Sequence, residues 1–414
     1  MGRVVAAVLV AVGFFAYGVL LAGADSTPAY FHVDAAGARQ NPQQNNPQFE
    51  TLRGREGYWR LGRDAAGVWW FVSPEGRAEF LNGVTTVQPT LLGRDPAGPH
   101  YVSRDWQNDP RTTSAKDAWA KATLARVNEF GFKGLGAWCD PVFHRHDVPV
   151  TRDLNVSTYL VGDERDVFSA KWERRVEQII RDQVTPLRES RGLVGYYTDN
   201  ELDWGSGDDE ATYRKARRYF EVTTRLVRKY DPNHLVLGVR FRGDAPKAVV
   251  RASAGLTDAQ SVNYYPHDAK LDRELFETLH RLSGGQPVIV SEYSFHALDG
   301  RSGNRNRFGF PAQVADQGAR AEGYRNMTTR LARLPYVVGA DWFQWMDEPP
   351  SGRVRDGEDV NFGVVDVTDR EYELLVDAVR ETTPKLNGFH GRSASDSYAD
   401  VWREIDTALA GTAE

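Results

Sequence analysis

LVGYYTDNEL (residues 193–202) and PVIVSEYSF (residues 287–295) each run from an apolar stretch of strand length into a glutamate, Glu201 in the first and Glu292 in the second. Short apolar runs rich in β-branched and aromatic residues read as buried strands. A carboxylate that ends such a strand is costly unless it is paired or hydrogen-bonded. Two of them call for a common explanation, and what that is depends on their place in the strand order.

Working outward, candidate strands fall at residues 80–87, 132–138, 156–161, 193–198, 235–241, 259–265, 287–291 and 337–343. Between them lie longer stretches of helical period, such as Trp172, Val176, Ile179, Ile180 and Leu187, or Leu271, Leu275, Leu279 and Leu282. Ser114 with Asp117 three residues on resembles a capping box before the first helix. Eight strand–helix units in roughly 300 residues is the arithmetic of a (β/α)8 barrel. A doubly wound open sheet is the alternative, but no GxGxxG follows an early strand. The expected fold is therefore α/β, a (β/α)8 TIM barrel over residues 80–390. A small N-terminal β-hairpin layer precedes it at 58–79, where YWRLG and VWWFV flank a turn at Gly67. In this order Glu201 ends strand four and Glu292 strand seven, and active sites of this fold sit at the C-terminal strand ends.

The 414 residues, 41% hydrophobic and 26% charged, can bury a large core. A net charge of -6 is mild for this length and argues against nucleic acid as a partner. The lone cysteine, Cys139, excludes an intramolecular disulfide framework and a multi-thiolate metal site. Residues 1–24 have Arg3, an apolar stretch from Val4 to Leu21 and Ala22-Gly23-Ala24, the form of a signal peptide or of an uncleaved membrane anchor. The expectation is a protein that is secreted or held at the cell surface. The Asn-, Gln- and Pro-rich stretch within 25–57 reads as a flexible linker, and 391–414 as a C-terminal tail.

Two carboxyls facing one barrel mouth fit retaining glycoside hydrolysis, in which they stand about 5 Å apart, one a general acid and base and the other a nucleophile. The competing reading is a pair of structural salt bridges, with Arg240 or another strand-end arginine as partner.

The segments GYYTDNELDWG (195–205), VNYYP (262–266), SEYSF (291–295), YVVGADWFQWMDEP (336–349) and DVNFGVVD (359–366) together carry a family resemblance. From about residue 58 to about residue 379 the chain resembles a glycoside hydrolase of the clan with catalytic glutamates on strands four and seven, most like its β-agarase-type members. The resemblance implies that Glu201 is the acid/base and Glu292 the nucleophile, with Asn200 bonded to the 2-hydroxyl of the cleaved sugar. It implies a strand-six tyrosine that donates to the nucleophile. Period-two alternation puts Asn263 and Tyr265 on one face, which favours Tyr265 over Tyr264. It also implies a strand-eight tryptophan under the sugar, Trp342 or Trp345, since an aromatic face suits the C–H face of a pyranose. The higher carboxyl pKa is then expected at Glu201. Many members carry an arginine at the end of strand two, whereas this strand ends Gly136-Ala137-Trp138-Cys139. Arg240, at the end of strand five, is the nearest substitute for that charge, and Trp138 joins the candidate substrate contacts. The implied partner is a β-linked polysaccharide or oligosaccharide, with an agarose-like galactan as nearest precedent; no cofactor, metal or required protein partner is implied.

Two other readings remain. His144-x-His146 with Asp147, followed by His267-Asp268 and His296, has the look of metal ligands. But the pair lies in a loop after strand two, where barrel amidohydrolases carry their motif on strand one, and His234 precedes strand five at the wrong end. His144 and His296 therefore read better as donors to sugar hydroxyls. The second is a carbohydrate-binding barrel without turnover. Specificity is expected in the loops at 89–110 and 301–311; the latter, with Arg301, Arg305 and Arg307, suits an anionic sugar or a mobile surface loop.

Overall fold

The computed structural model describes residues 46–98, 100–106, 112–205, 207–266 and 270–392. The targeting segment, most of the linker, His267, Asp268 and the tail beyond residue 392 lie outside the described residues.

The chain enters through β1 (Phe49–Arg53), β2 (Arg60–Asp64), β3 (Trp69–Val72) and β4 (Ala78–Glu79), an antiparallel sheet in sequential order. Residues 49–53, expected within the linker, pair instead with β2. The reason is Phe49, whose ring covers Gly62 so closely that a Cβ there would lie 2.6 Å from it. Trp69, Trp70, Phe71 and Val72 are all buried, so β3 is covered on both faces. Its edge is tied to the barrel: His390 bridges the carbonyls of Trp69 and Ala332.

β5 (Leu81–Val84) is the first barrel strand, and the loop after it carries the ribbon β6 (Thr90–Leu91) and β7 (Tyr101–Val102). The barrel continues through β8 (Gly134–Leu135), β9 (Val150–Asp153), β10 (Leu193–Asn200), β11 (Leu235–Arg242), β12 (Gln260–Asn263) and β13 (Val288–Tyr293). After the ribbon β14 (His296–Ala297) and β15 (Gln313–Val314), β16 (Val337–Trp342) pairs with β5 and closes eight parallel strands. Helices α1 (Thr113–Glu129), α2 (Ala170–Val184), α3 (Glu210–Tyr230), α4 (Lys247–Ser253), α5 (Arg273–Leu282), α6 (Gln317–Ala332), α7 (Glu373–Thr382) and α8 (Leu386–Gly391) accompany it. The α2 stripe buries Trp172, Val176, Ile179 and Ile180 as the periodicity requires. None of the described helices is long and apolar enough to cross a membrane.

The third strand is not where the sequence reading placed it. Residues 156–159 form a 3-10 turn, and the strand is β9, directly after Pro149. The β-branched run VSTYLV suggested a strand, but Asn155 before it adopts φ 48° and Ser157 binds Asp199 through its amide and hydroxyl. β9 hid because it contains Arg152 and Asp153, and Asp153 has a task in the barrel mouth described below. The strand order is unaffected, so Glu201 and Glu292 still end strands four and seven. The α1 cap also differs from expectation: Thr112 rather than Ser114 accepts from the Ala115 amide.

Inside the barrel, small residues make room for one carboxylate. A Cβ at Gly83 would lie 2.3 Å from an Asp341 oxygen, and one at Gly136 would lie 2.6 Å from the other. Asp341 is buried, and this burial, opposed by Arg240, pushes its carboxyl up to about 7.

Candidate active site

Glu292, at the penultimate position of β13, has 5% of its surface exposed. Three donors converge on it. The Trp138 indole N–H reaches Oε1 at 2.9 Å, Arg240 Nη1 reaches Oε1 at 2.5 Å and the Tyr265 hydroxyl reaches Oε2 at 2.9 Å. Each donor comes from a different strand end, so the cluster exists only when the barrel closes and brings the ends of strands two, five, six and seven around one mouth.

Arg240 is wholly buried and points into the mouth. Its Nε lies 3.2 Å from Asp153 and its guanidinium covers the Trp138 ring at 4.5 Å. Burial works to lower its pKa, but Asp153 and Glu292 outweigh that and hold it above the ordinary value. Asp153 also accepts the Trp138 backbone N–H at 2.8 Å, which fixes that residue at φ 65°. A tryptophan in the left-handed region is strained by about 1–3 kcal/mol. The bonds to Asp153 and Glu292 hold it there.

Burial raises the Glu292 carboxyl above the ordinary glutamate value, the Arg240 charge opposes this, and the nearby Glu201 charge adds to it. Of the two carboxyls, Glu292 is the more enclosed.

Glu201 directly follows β10, at φ 46°, with its backbone N–H bonded to the Arg240 carbonyl. It is half-buried, and Asn263 donates to its Oε1 at 2.8 Å. The same Asn263 amide reaches Asn200 at 3.0 Å, and its carbonyl accepts from Ser291 at 2.9 Å. Asn263 thus ties the Asn200-Glu201 pair to the strand that carries Glu292. Asn263 and Asp153 are polar site residues the sequence reading did not assign. Asn263 shares the period-two face of Tyr265, which was a usable signal; Asp153 lay in the strand that had been misplaced.

Aromatic rings wall one side. Tyr265 meets Phe310, Phe343 and Phe362 at centroid distances of 4.8, 6.2 and 5.9 Å.

Four expected contacts lie elsewhere, and a fifth, His296, is buried behind the aromatic wall against Phe362. Trp342 is fully buried among Tyr293, Tyr324 and Arg320, on the helix side of β16, and donates to the Phe362 carbonyl. Strand alternation gives the mouth to the next residue, Phe343. Trp345 is likewise buried, stacked on Phe130 and bonded to Tyr101, so neither tryptophan floors the mouth. Tyr264 turns outward, packs on Phe276 and donates to the Lys270 carbonyl. His144 sits in a 3-10 turn whose carbonyl accepts from Ser190, before strand four, and the nearby charges Arg152 and His234 place it away from the mouth. Burial drives its pKa down to about 3. His296 is 3% exposed and its ring nitrogen bonds the Phe310 carbonyl, which fastens the 301–311 loop.

The arginines of that loop are largely engaged. Arg301 pairs with Asp366 and Glu373, and Arg307 with Asp359.

No family model matches the chain. It is 24% identical to β-agarase B of Vibrio sp. (strain JT0107), over 65% of this chain and 36% of that protein. It is also 24% identical to β-agarase A of the same strain, over 81% of this chain and 46% of that protein. The chain therefore spans less than half the length of these curated relatives. Among solved structures an exo-β-agarase superposes with a TM-score of 0.69 at 21% identity, covering 82% of this chain and 66% of that one. An agarase superposes with a TM-score of 0.66 at 23% identity. These structural likenesses share the barrel fold.

Proposed function

We propose that this protein is a retaining glycoside hydrolase that cleaves a β-linked polysaccharide or oligosaccharide. The observation that carries the proposal is the asymmetry of the two carboxyls. Glu292 is enclosed by three donors, one of them a buried guanidinium, while Glu201 is half-buried beside it and held by a single amide.

Donors aimed at a carboxylate stabilise its ionised form and fix its direction, the requirement for a nucleophile. Glu292 attacks the anomeric carbon while Glu201 protonates the glycosidic oxygen, so the C–O bond breaks with its electrons on a neutral leaving group. Glu201, now ionised, takes a proton from water, and the resulting hydroxide displaces Glu292 from the glycosyl ester. Asn200 stands beside Glu201 and suits the sugar's 2-hydroxyl. Its interaction strengthens as positive charge develops on the ring. An agarose-like galactan is the first substrate to assay, because the relatives named above are β-agarases. The targeting form of residues 1–24 fits export to where such polymers occur.

The test is Glu292→Gly assayed with and without azide. The variant is expected to be inactive on natural substrate. Azide, entering from the vacated side, restores turnover and yields a glycosyl azide of inverted anomeric configuration. Absence of rescue, or inverted anomeric configuration in the wild-type product by proton NMR, sinks the retaining assignment. Binding of polysaccharide without release of reducing ends favours a binding module.

A further inference from the structure

The loops after the first and eighth barrel strands are zipped together: Arg94 donates from its backbone to Gly352 at 2.9 Å, and Asp95 to the Ser351 hydroxyl at 3.2 Å. Their charges are divided unevenly. Three acids of the eighth loop, Glu348, Asp356 and Glu358, converge on Arg353. Arg355 in the same loop is exposed, and Arg94 packs its guanidinium on Gly357 and is exposed as well. Neither Arg355 nor Arg94 has an acidic partner among the described residues.

Position makes this pair of charges notable. The Arg355 guanidinium lies 5.9 Å from the centre of the Trp138 ring, whose N–H is bonded to Glu292. A second guanidinium, that of Arg240, lies 4.5 Å from the same ring. Arg240 is neutralised by Asp153 and Glu292, while Arg355 has nothing equivalent. An exposed guanidinium without an acidic partner keeps its donors available to an incoming anion. Across the mouth, Arg242 is 84% exposed and 3.9 Å from Glu201, a long contact in water. The molecule as a whole carries -6, so exposed arginines at this end of the barrel are not a sample of a generally basic surface.

We propose that Arg355, with Arg94 on the adjoining loop, recognises an anionic substituent, a sulfate ester or a carboxylate, on a sugar bound next to the cleaved bond. A planar guanidinium matches both groups in a two-pronged arrangement that a neutral hydroxyl cannot use as strongly. The assignment rests on the glycosidase reading above and names its substrate class more narrowly.

The experiment compares kcat/KM on matched β-galacto-oligosaccharides in three forms: neutral, sulfated and uronate-containing. Wild type is expected to favour one anionic form over the neutral form by at least about tenfold, the size of one charge-assisted hydrogen bond. That preference shrinks as salt is raised. Arg355→Gln collapses the ratio toward one, whereas Arg174→Gln, exposed on α2, leaves it as in wild type. The sulfated and uronate arms identify which anion is read. Calorimetric binding of the same set to Glu201→Gln separates the two claims. Anion-selective binding without wild-type turnover of any oligosaccharide overturns the glycosidase reading alone. Equal binding and equal kcat/KM for all three forms, or an Arg355→Gln variant with the wild-type ratio, overturns the anion site alone.

Discussion

Replacing Arg240 by glutamine removes the central charge of the site while keeping a polar side chain. In the wild type Nη1 lies 2.5 Å from Glu292 and Nε 3.2 Å from Asp153, with the side chain fully enclosed. Two unit charges about 4 Å apart at an effective dielectric of about 20 attract by about 4 kcal/mol. At ~1.4 kcal/mol per unit that is about three pKa units on Glu292. Water entering the vacated space and the remaining donors, Trp138 and Tyr265, reduce the effect, so a rise of about one to two units is expected. The nucleophile must be ionised to attack, and the acidic limb of kcat/KM therefore moves to higher pH by the same amount. Stability follows with a definite sign. Glu292 already has a folded pKa above its ordinary value, and the variant raises it further. Such a carboxyl is tolerated while protonated and destabilises the fold as pH rises from its unfolded toward its folded value. The stability of the variant in urea is expected to fall increasingly below wild type as pH rises above the ordinary glutamate value and through the raised folded one, on top of the cost of breaking a buried pair. An acidic limb that does not move, together with a midpoint difference independent of pH, would refute the reasoning.

Three further outcomes follow from the same geometry. Tyr265→Phe deletes the 2.9 Å donor to Glu292; kcat/KM is expected to drop about tenfold and the acidic limb to shift upward, with an unchanged circular dichroism spectrum. Asn263→Ala frees Glu201 and Asn200; turnover of natural substrate is expected to fall by about ten- to a hundredfold, while an activated aryl glycoside, whose leaving group needs no proton, loses much less. Equal losses on both substrates would show that Asn263 does not act through the acid. Asp341, raised to about 7 by burial, favours the fold while protonated and loses that advantage between its unfolded value and about 7. Asp341→Asn is therefore expected to gain stability relative to wild type as pH rises through this window, measured by urea midpoints. A variant that loses stability relative to wild type as pH rises would contradict the sign.

Much of the architecture was legible because it rests on period and length. Eight apolar runs separated by amphipathic stretches specify a barrel, and the alternation at residues 263–265 separates Tyr265, which bonds Glu292, from Tyr264, which packs on Phe276. Legibility failed where a residue serves the mouth instead of the core. β9 carries Asp153 where a strand pattern calls for an apolar residue, and the β-branched run at 156–161 imitates the strand better than β9 does. It failed also for aromatic residues: Trp342 and Trp345 have the right identity, but strand parity and the chain path after β16 bury both and leave Phe343 beside Tyr265.

The sequence by itself determined the strand count, the two glutamates and their places at the ends of strands four and seven, because these depend on local hydrophobic pattern and chain order alone. Only the tertiary structure decided what surrounds them. The contacts of Glu292 with Trp138, Arg240 and Tyr265 join residues far apart in the chain, and so does the contact of Glu201 with Asn263. No periodicity records such contacts; they arise when the barrel closes and fixes the angle at which each strand end meets the mouth.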